Sequence, residues 1–274
     1  MPKRRLDTLL AERGLFASRT RAAASVMAGE VRLGAGGRRA EKAGELVDDA
    51  ELVTLQTRPG YVSRGGIKLA NALQATDLDV RGRRALDVGA STGGFTDCLL
   101  QRGAREVIAV DVGYGTLDYS LRIDPRVLVM ERTNARALTP ALIEAAAGGS
   151  LRDPPDLATI DVSFISLGKV LGAVIGCLAG GYEVLALVKP QFELGRGRVG
   201  KGGVVREGAE RREALLGVGR AGLELGAAVL GYRSSGLPGP KGNRESFIWL
   251  ADPGLNRGTL DGNDLEAMAR EVEP

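Results

Sequence analysis

From Ala85 onward, short apolar runs alternate with helical stretches, and this alternation constrains the fold more than any other feature of the chain. The runs Ala85–Val88, Val107–Asp111, Val127–Glu131, Leu157–Val162, Val184–Lys189, Ala228–Tyr232 and Ser246–Ala251 read as strands, with helices near 94–102, 166–178 and 208–225. Strand and helix in turn are the signature of a mostly parallel sheet covered on both faces, so the expectation is an α/β, Rossmann-like sheet of seven strands. Neither an internal repeat nor a low-complexity tract interrupts the pattern.

The N-terminal stretch reads differently. Leu6, Leu9 and Leu10 form an i, i+3, i+4 stripe that stops at Gly14; Ser18 caps a second helix, whose Ala22, Ala23, Val26 and Met27 face inward before Gly29. Val31–Leu33 and Glu51–Leu55 follow as short strands. Residues 1–57 thus form a small α+β unit, too small for much chemistry alone and expected to bind something. Residues 58–66, Arg-Pro-Gly-Tyr-Val-Ser-Arg-Gly-Gly, break regular structure and read as a linker to a second domain at 67–274. The net charge of +3 hides an asymmetry: residues 1–42 hold ten Lys/Arg against four Asp/Glu, the rest 27 against 30. A basic segment ahead of a near-neutral body suggests a polyanion-binding module, with a solubilising basic tail as the alternative.

Composition removes several classes of chemistry. With no histidine in 274 residues, Ser-His-Asp and Cys-His nucleophilic schemes and histidine bases are excluded. Cys98 and Cys177 sit in apolar helical patterns without metal-ligand spacing, so buried free thiols and no metal are expected. No uncharged apolar run approaches the roughly 18–20 residues that span a bilayer, and Met1-Pro-Lys-Arg-Arg5 leads into no signal-peptide core. The expected location is the cytoplasm, away from a membrane.

The first strand of the sheet runs into Asp87-Val-Gly89-Ala90-Ser91-Thr92-Gly93-Gly94-Phe95-Thr96, and a helix follows. Such a turn lets backbone approach a ligand where glycine lacks a side chain. Asp111 ends the second strand, 22 residues after Gly89, where a carboxylate accepts both hydroxyls of an adenosine ribose. A dinucleotide site would show G-x-G-x-x-G and a pyrophosphate cradle; here the loop is G-A-S-T-G-G, which favours S-adenosyl-L-methionine over a nicotinamide dehydrogenase's cofactor. Its amino-acid part is expected along the glycine turn, its ribose on Asp111 beside Val112, and its adenine near Asn134. The alternative for Asp111 is a turn residue before Gly113.

Ligands of open α/β sheets lie beyond the carboxyl ends of the strands. Two charged residues end apolar strands there: Asp161 in Thr159-Ile-Asp-Val-Ser-Phe164 and Lys189 in Leu185-Ala-Leu-Val-Lys-Pro-Gln-Phe-Glu193. A lysine closing a buried strand is costly unless a carboxylate meets it, and Asp161 is the candidate. A structural ion-pair network is the alternative to a catalytic one.

These segments, with Val62-Ser-Arg-Gly-Gly-Ile-Lys-Leu69, Asp111-Val-Gly-Tyr-Gly115 and Gly242-Asn-Arg-Glu-Ser-Phe247, resemble the TlyA-type family, ribosomal RNA 2′-O-methyltransferases once labelled haemolysins, whose catalytic domain is of the FtsJ/RrmJ-like class. The resemblance covers nearly the whole chain. It implies a catalytic Lys-Asp-Lys-Glu tetrad at Lys68, Asp161, Lys189 and Glu245, with Asp161 also facing the cofactor, and a cytidine of ribosomal RNA, free or in ribosomal subunits, as target. The N-terminal unit likewise resembles the S-four-type RNA-binding domain at Arg5-Leu-Asp7, Gly14, Ser18-Arg19, Ala22 and Gly29-Glu-Val31. It departs from that pattern in Val31-Arg-Leu-Gly-Ala-Gly-Gly37, which lacks the usual asparagine.

The tetrad suits attack by a ribose hydroxyl on a sulfonium methyl. A sugar hydroxyl is a very weak acid, and a lysine takes its proton only in the neutral form, which burial or a neighbouring cation favours. Lys68 is the expected cation beside Lys189, Asp161 orients the amine, and Glu245 holds Lys68. Arg196, Arg198, Lys201 and Arg206 on a glycine-rich loop, Arg64 in the Ser-Arg-Gly-Gly motif, and Arg5, Arg19 and Arg32 in the N-terminal unit are the expected RNA contacts; an ordinary solvated loop is the alternative for each loop residue. A non-catalytic ribosome-assembly factor and a membrane-lytic protein are the competing functions.

Overall fold

The computed structural model describes residues 3–16, 18–27, 30–55, 60–149, 153–200, 202–255 and 262–273. It divides into two compact units, Met1–Gly60 and Tyr61–Pro274. Gly29, Lys201 and residues 58–59 of the expected linker lie outside the described residues, as does the Arg196 side chain.

In the first unit, β1 (Lys3–Arg5) leads into α1 (Leu6–Glu12) and α2 (Arg19–Met27), followed by β2 (Val31–Leu33), β3 (Arg38–Arg39), β4 (Leu46–Asp48) and β5 (Val53–Leu55). The leucine stripe of α1 does what its spacing predicts: Leu6, Leu9 and Leu10 are buried with Ala22 and Val26 of α2 and with Val31, Leu33 and Val47. Ser18 caps α2, its hydroxyl accepting the Arg21 N–H at 3.2 Å. β2 pairs antiparallel with β3 and β5, and β1 with β4. At two or three residues, β1, β3 and β4 are too short to show a period-two pattern.

The second unit opens with α3 (Arg64–Thr76), then β6 (Arg84–Val88), α4 (Gly94–Gln101), β7 (Glu106–Val110), α5 (Tyr119–Arg122), β8 (Val127–Met130), α6 (Pro140–Ala146), β9 (Leu157–Ile160), α7 (Leu171–Ile175), β10 (Glu183–Val188), α8 (Pro190–Glu193), α9 (Gly208–Glu224), β11 (Ala228–Ser234), β12 (Ser246–Ala251) and α10 (Gly262–Val272). Seven strands make one sheet, in the order β11-β12-β10-β9-β6-β7-β8. β6 to β10 pair in parallel, while β12 runs against both its neighbours.

Side-chain alternation sends successive strand residues to opposite faces. Leu86, Val88, Ile108, Val110, Ile160, Val184, Val188 and Leu250 pack with Leu171, Val174, Ala214, Leu215, Val218 and Leu265 of the helices on one face. Ala85, Val107, Leu157, Leu185, Leu187, Phe247 and Trp249 pack with Leu69, Leu73, Phe95, Cys98 and Leu99 of α3 and α4 on the other. Each such large apolar side chain contributes about 1.5–3 kcal/mol relative to remaining exposed. Cys98 and Cys177 are buried free thiols. Among the described residues no helix is long and apolar enough to cross a membrane.

Two elements depart from expectation. Helix α3 begins at Arg64, inside the segment 58–66 expected to be irregular. Its glycines serve packing rather than a break: a Cβ on Gly66 would stand 2.8 Å from the Gly94 carbonyl oxygen of α4, so the two helices meet through glycine. The helix expected over 166–178 is shorter, a single 3-10 turn at Leu167–Lys169 and then α7.

From β6 the chain moves outward to β7 and β8, then returns to place β9 on the other side of β6. The carboxyl ends of β6 and β9 therefore flank a switch point, where open α/β sheets form their binding crevice.

Candidate active site

The end of β6 passes into the glycine loop close against the end of β9. Gly89 has φ +86°, and a Cβ there would stand 2.4 Å from the Asp161 carbonyl oxygen. Its missing side chain makes room for protein backbone, not for ligand as the loop's composition suggested. Ser91 also adopts a left-handed conformation, φ +49°, and its N–H donates to Asp111 Oδ2 at 2.8 Å. Asp111 Oδ1 accepts the Gly113 N–H at 2.7 Å. An ionised carboxylate has about four acceptor positions, so each Asp111 oxygen keeps one for a further donor.

Beside Asp111 lies a cavity of about 410 Å³, whose wall includes Gly89, Ser91, Val112, Thr133, Asn134, Asp161, Val162, Ser163, Phe164 and Ile165. Asn134 caps the following turn, its side-chain oxygen accepting the Arg136 N–H at 3.0 Å, which leaves its amide NH₂ for a ligand. A second cavity of about 170 Å³ shares Gly89, Ser91 and Asp161 with the first and adds Ser63, Lys68, Ala90, Thr92, Gly94, Phe95, Lys189 and Glu245.

Four segments far apart in sequence thus bring Lys68 of α3, Asp161 after β9, Lys189 after β10 and Glu245 before β12 to one wall. They stand as two ion pairs: Lys68 Nζ to Glu245 Oε2 at 2.5 Å, and Lys189 Nζ to Asp161 Oδ1 at 2.5 Å. Lys68, Lys189 and Glu245 are all less than a tenth exposed. Removing Lys68 would leave the buried Glu245 carboxylate without its cation, which is strongly destabilising, whereas the Asp161 side chain is 24% exposed. Lys189 Nζ also donates to Ser163 Oγ at 2.9 Å.

The loop carrying Glu245 is clamped by one face of α3. Arg64 donates to the Pro238 carbonyl at 2.6 Å, Lys68 meets Glu245, and Asn71 donates to the Ser235 carbonyl at 3.0 Å. Gly239 lies directly on the carboxylate, since a Cβ there would stand 2.1 Å from Glu245 Oε1. Asn243, 2% exposed, ties this loop to the glycine-rich one: its side chain accepts the Val205 N–H at 2.9 Å and donates to the Gly203 carbonyl at 2.8 Å.

The remaining expected site residues lie outside the walls of the two cavities. Asp87 is fully enclosed and lines neither cavity; it accepts the Thr96 hydroxyl at 2.7 Å and the Thr159 hydroxyl at 3.1 Å. Burial pushes its carboxyl up to about 7. Gly93 also lines neither cavity, because the Leu121 side chain occupies its Cβ direction. Arg198 pairs with Glu213 of α9 at 2.7 Å, Arg206 is exposed, and Arg64 is committed to Pro238. In the first unit, Arg5 at 2.8 Å and Arg19 at 3.1 Å share the buried Asp7 carboxylate, yet both side chains remain about half exposed. The hydrogen bond from Arg5 is the main reason the Asp7 carboxyl lies well below its ordinary range. Arg32 on β2 lies opposite Arg39.

Ser63, Ser163, Phe164, Gly239 and Asn243 belong to the site without having been singled out. Ser163 and Phe164 stand just beyond Asp161, but neither carries charge, and charge at a strand end was the signal that identified Asp161 and Lys189. Phe164 is 91% exposed at φ +65°, its ring tilted 47° against that of Phe192 with centroids 5.1 Å apart.

The two adjoining cavities fit S-adenosylmethionine: a carboxylate with open acceptor positions for a ribose diol, apolar walls from Val112, Val162 and Ile165, and a carboxylate at Asp161 where a sulfonium charge is expected. Residues 61–252 match the family of FtsJ-like methyltransferases. Over 248 residues, 90% of this chain and 89% of the relative, the sequence is 50% identical to the 16S/23S rRNA (cytidine-2′-O)-methyltransferase TlyA of Mycobacterium tuberculosis. It is 43% identical to YqxC of Bacillus subtilis, named as a candidate rRNA methyltransferase, over 99% of this chain and 93% of that one. A solved structure of a candidate hemolysin from Streptococcus thermophilus matches with a TM-score of 0.71 and 39% identity, covering 99% of this chain and 96% of that one. The chain belongs to the FtsJ-like methyltransferases, in the group that contains TlyA, and its cofactor is S-adenosyl-L-methionine.

Proposed function

We propose that the chain methylates the 2′-oxygen of a cytidine ribose in ribosomal RNA. The observation that carries this is the meeting of two lysine–carboxylate pairs, Lys68–Glu245 and Lys189–Asp161, on a cavity that shares Gly89, Ser91 and Asp161 with the one beside Asp111. The names of the TlyA relatives supply the substrate class, rRNA, and the atom, a cytidine 2′-oxygen.

When bound, S-adenosylmethionine supplies an electrophilic methyl group. Asp111 and Asn134 would hold the adenosine portion, and Gly89, Ala90, Ser91, Thr92 and Gly94 would line the amino-acid portion. Neutral Lys189 takes the proton of the ribose hydroxyl. Asp161 fixes the position of that amine and would supply the negative charge facing a bound sulfonium. Lys68, kept in place by Glu245, adds positive charge to the same wall. Most of the acceleration comes from holding hydroxyl and methyl in line, with base catalysis contributing about 10²–10⁴-fold.

Arg206, Arg32 and the exposed parts of Arg5 and Arg19 serve as phosphate contacts, a sequence-tolerant mode suited to folded RNA. The first unit acts as an RNA-binding domain of the S-four type, and the substrate places the enzyme in the cytoplasm. The test is Lys189→Ala. Calorimetry should show cofactor affinity close to that of the wild type, while transfer of labelled methyl to rRNA falls by about 10²-fold or more. Near-normal turnover would remove Lys189 from the mechanism.

A further inference from the structure

We propose that Ser163 is a positioning residue for the amine of Lys189, turning the nitrogen lone pair toward the ribose hydroxyl. This rests on Lys189 acting as the base. Two oxygens approach Nζ, and they differ in kind. Asp161 Oδ1, at 2.5 Å, is in ion-pair contact but off the hydrogen-bonding direction. Ser163 Oγ, at 2.9 Å, accepts a hydrogen bond. An ion pair depends mainly on distance, whereas a hydrogen bond weakens steeply as its angle closes. Asp161 therefore sets where the nitrogen sits, and Ser163 sets its rotation about the Cε–Nζ bond.

That rotation matters only for the neutral amine, which has two N–H groups and one lone pair. With one N–H on Ser163, two tetrahedral directions remain for the lone pair, and repulsion from the Asp161 carboxylate disfavours the one on its side, which leaves the lone pair free for a hydroxyl in the cavity that Lys189 lines. As the 2′-hydroxyl proton moves to Nζ, the oxygen–carbon bond forms and the carbon–sulfur bond breaks, its electron pair remaining on sulfur. Ser163 neither gains nor loses a proton.

The serine is itself held. Phe164, at φ +65°, turns the chain immediately after it, and its ring packs at a tilt against Phe192. Glu193 accepts the Ser166 hydroxyl at 2.6 Å and the Leu167 N–H at 2.9 Å. Phe192 and Glu193 belong to α8, which directly follows Lys189, so the loop presenting the hydroxyl is fastened to the segment that presents the amine.

The experiment compares full-length wild type, Ser163→Ala and Ser163→Thr by three measurements: kcat and KM for rRNA, cofactor affinity, and the side-chain amino resonance of Lys189 in lysine-¹⁵N-labelled protein, assigned by its loss in Lys189→Arg. Ser163→Ala should lower kcat about tenfold, the worth of one orienting hydrogen bond, with KM and cofactor affinity unchanged. Its Lys189 amino signal should broaden through exchange with water, and Ser163→Thr should restore both rate and signal. Wild-type kcat in Ser163→Ala, an unaltered Lys189 signal, or failure of threonine to restore rate and signal would overturn the assignment. A wild-type chain that places no methyl on a ribose oxygen would instead overturn the function beneath it, leaving the resonance to decide the hydrogen bond alone.

Discussion

At the scale of single residues, Asp87 combines fold and site most closely, since it lies buried beneath the glycine loop with two threonine hydroxyls as partners. Burial, with a smaller contribution from the charge of Asp161, raises its carboxyl from 3.8 to about 7. A folded value above the unfolded one means the native chain binds more protons in that interval. The contribution of Asp87 to stability is therefore full below about pH 4, falls as pH rises toward 7, and is level beyond. Asp87→Asn keeps the shape without the charge, and urea unfolding at pH 5 and pH 7.5 should show a smaller loss of stability on alkalinisation than in wild type. An equal loss in both would contradict the buried-acid account. Asp161 and Lys189 were legible in the sequence because a charged residue closing an apolar strand demands a partner. Gly239 was not, for a loop glycine looks the same whether it faces solvent or, as here, the Glu245 carboxylate.

At the scale of elements, the seven strands of the second unit were legible because a strand buried on both faces needs an unbroken apolar run. Helix α3 was hidden by Gly65 and Gly66, which in isolation signal a break and in the fold permit contact with α4. Its face at Arg64, Lys68 and Asn71 then became visible only through the loop it holds. Asn243 joins that loop to the glycine-rich loop at Gly203 and Val205. Each lost hydrogen bond of a buried asparagine costs about 0.5–1.5 kcal/mol. Asn243→Ala should therefore loosen residues 195–206, seen as faster proteolytic cleavage there, and raise KM for rRNA while leaving cofactor affinity unchanged. Unchanged cleavage and KM would show that the two loops hold their places independently.

At the scale of the whole molecule, charge and chemistry are divided between two units. Cations concentrate in residues 1–42, whereas the two cavities and both lysine–carboxylate pairs belong to the unit beginning at Tyr61. Composition disclosed the first fact directly. The second needed the sheet order, because β9 beside β6 brings Asp161 against Gly89, and no periodicity in the sequence specifies that neighbourhood. The most direct measurement is the position of the transferred methyl. After incubation of the full-length chain with labelled S-adenosylmethionine and rRNA, alkaline hydrolysis should leave the label in an alkali-resistant dinucleotide with cytidine on its 5′ side, because a 2′-O-methyl group blocks cleavage of the adjoining phosphodiester. Label recovered only in ordinary mononucleotides, as a methylated base would give, would contradict the account.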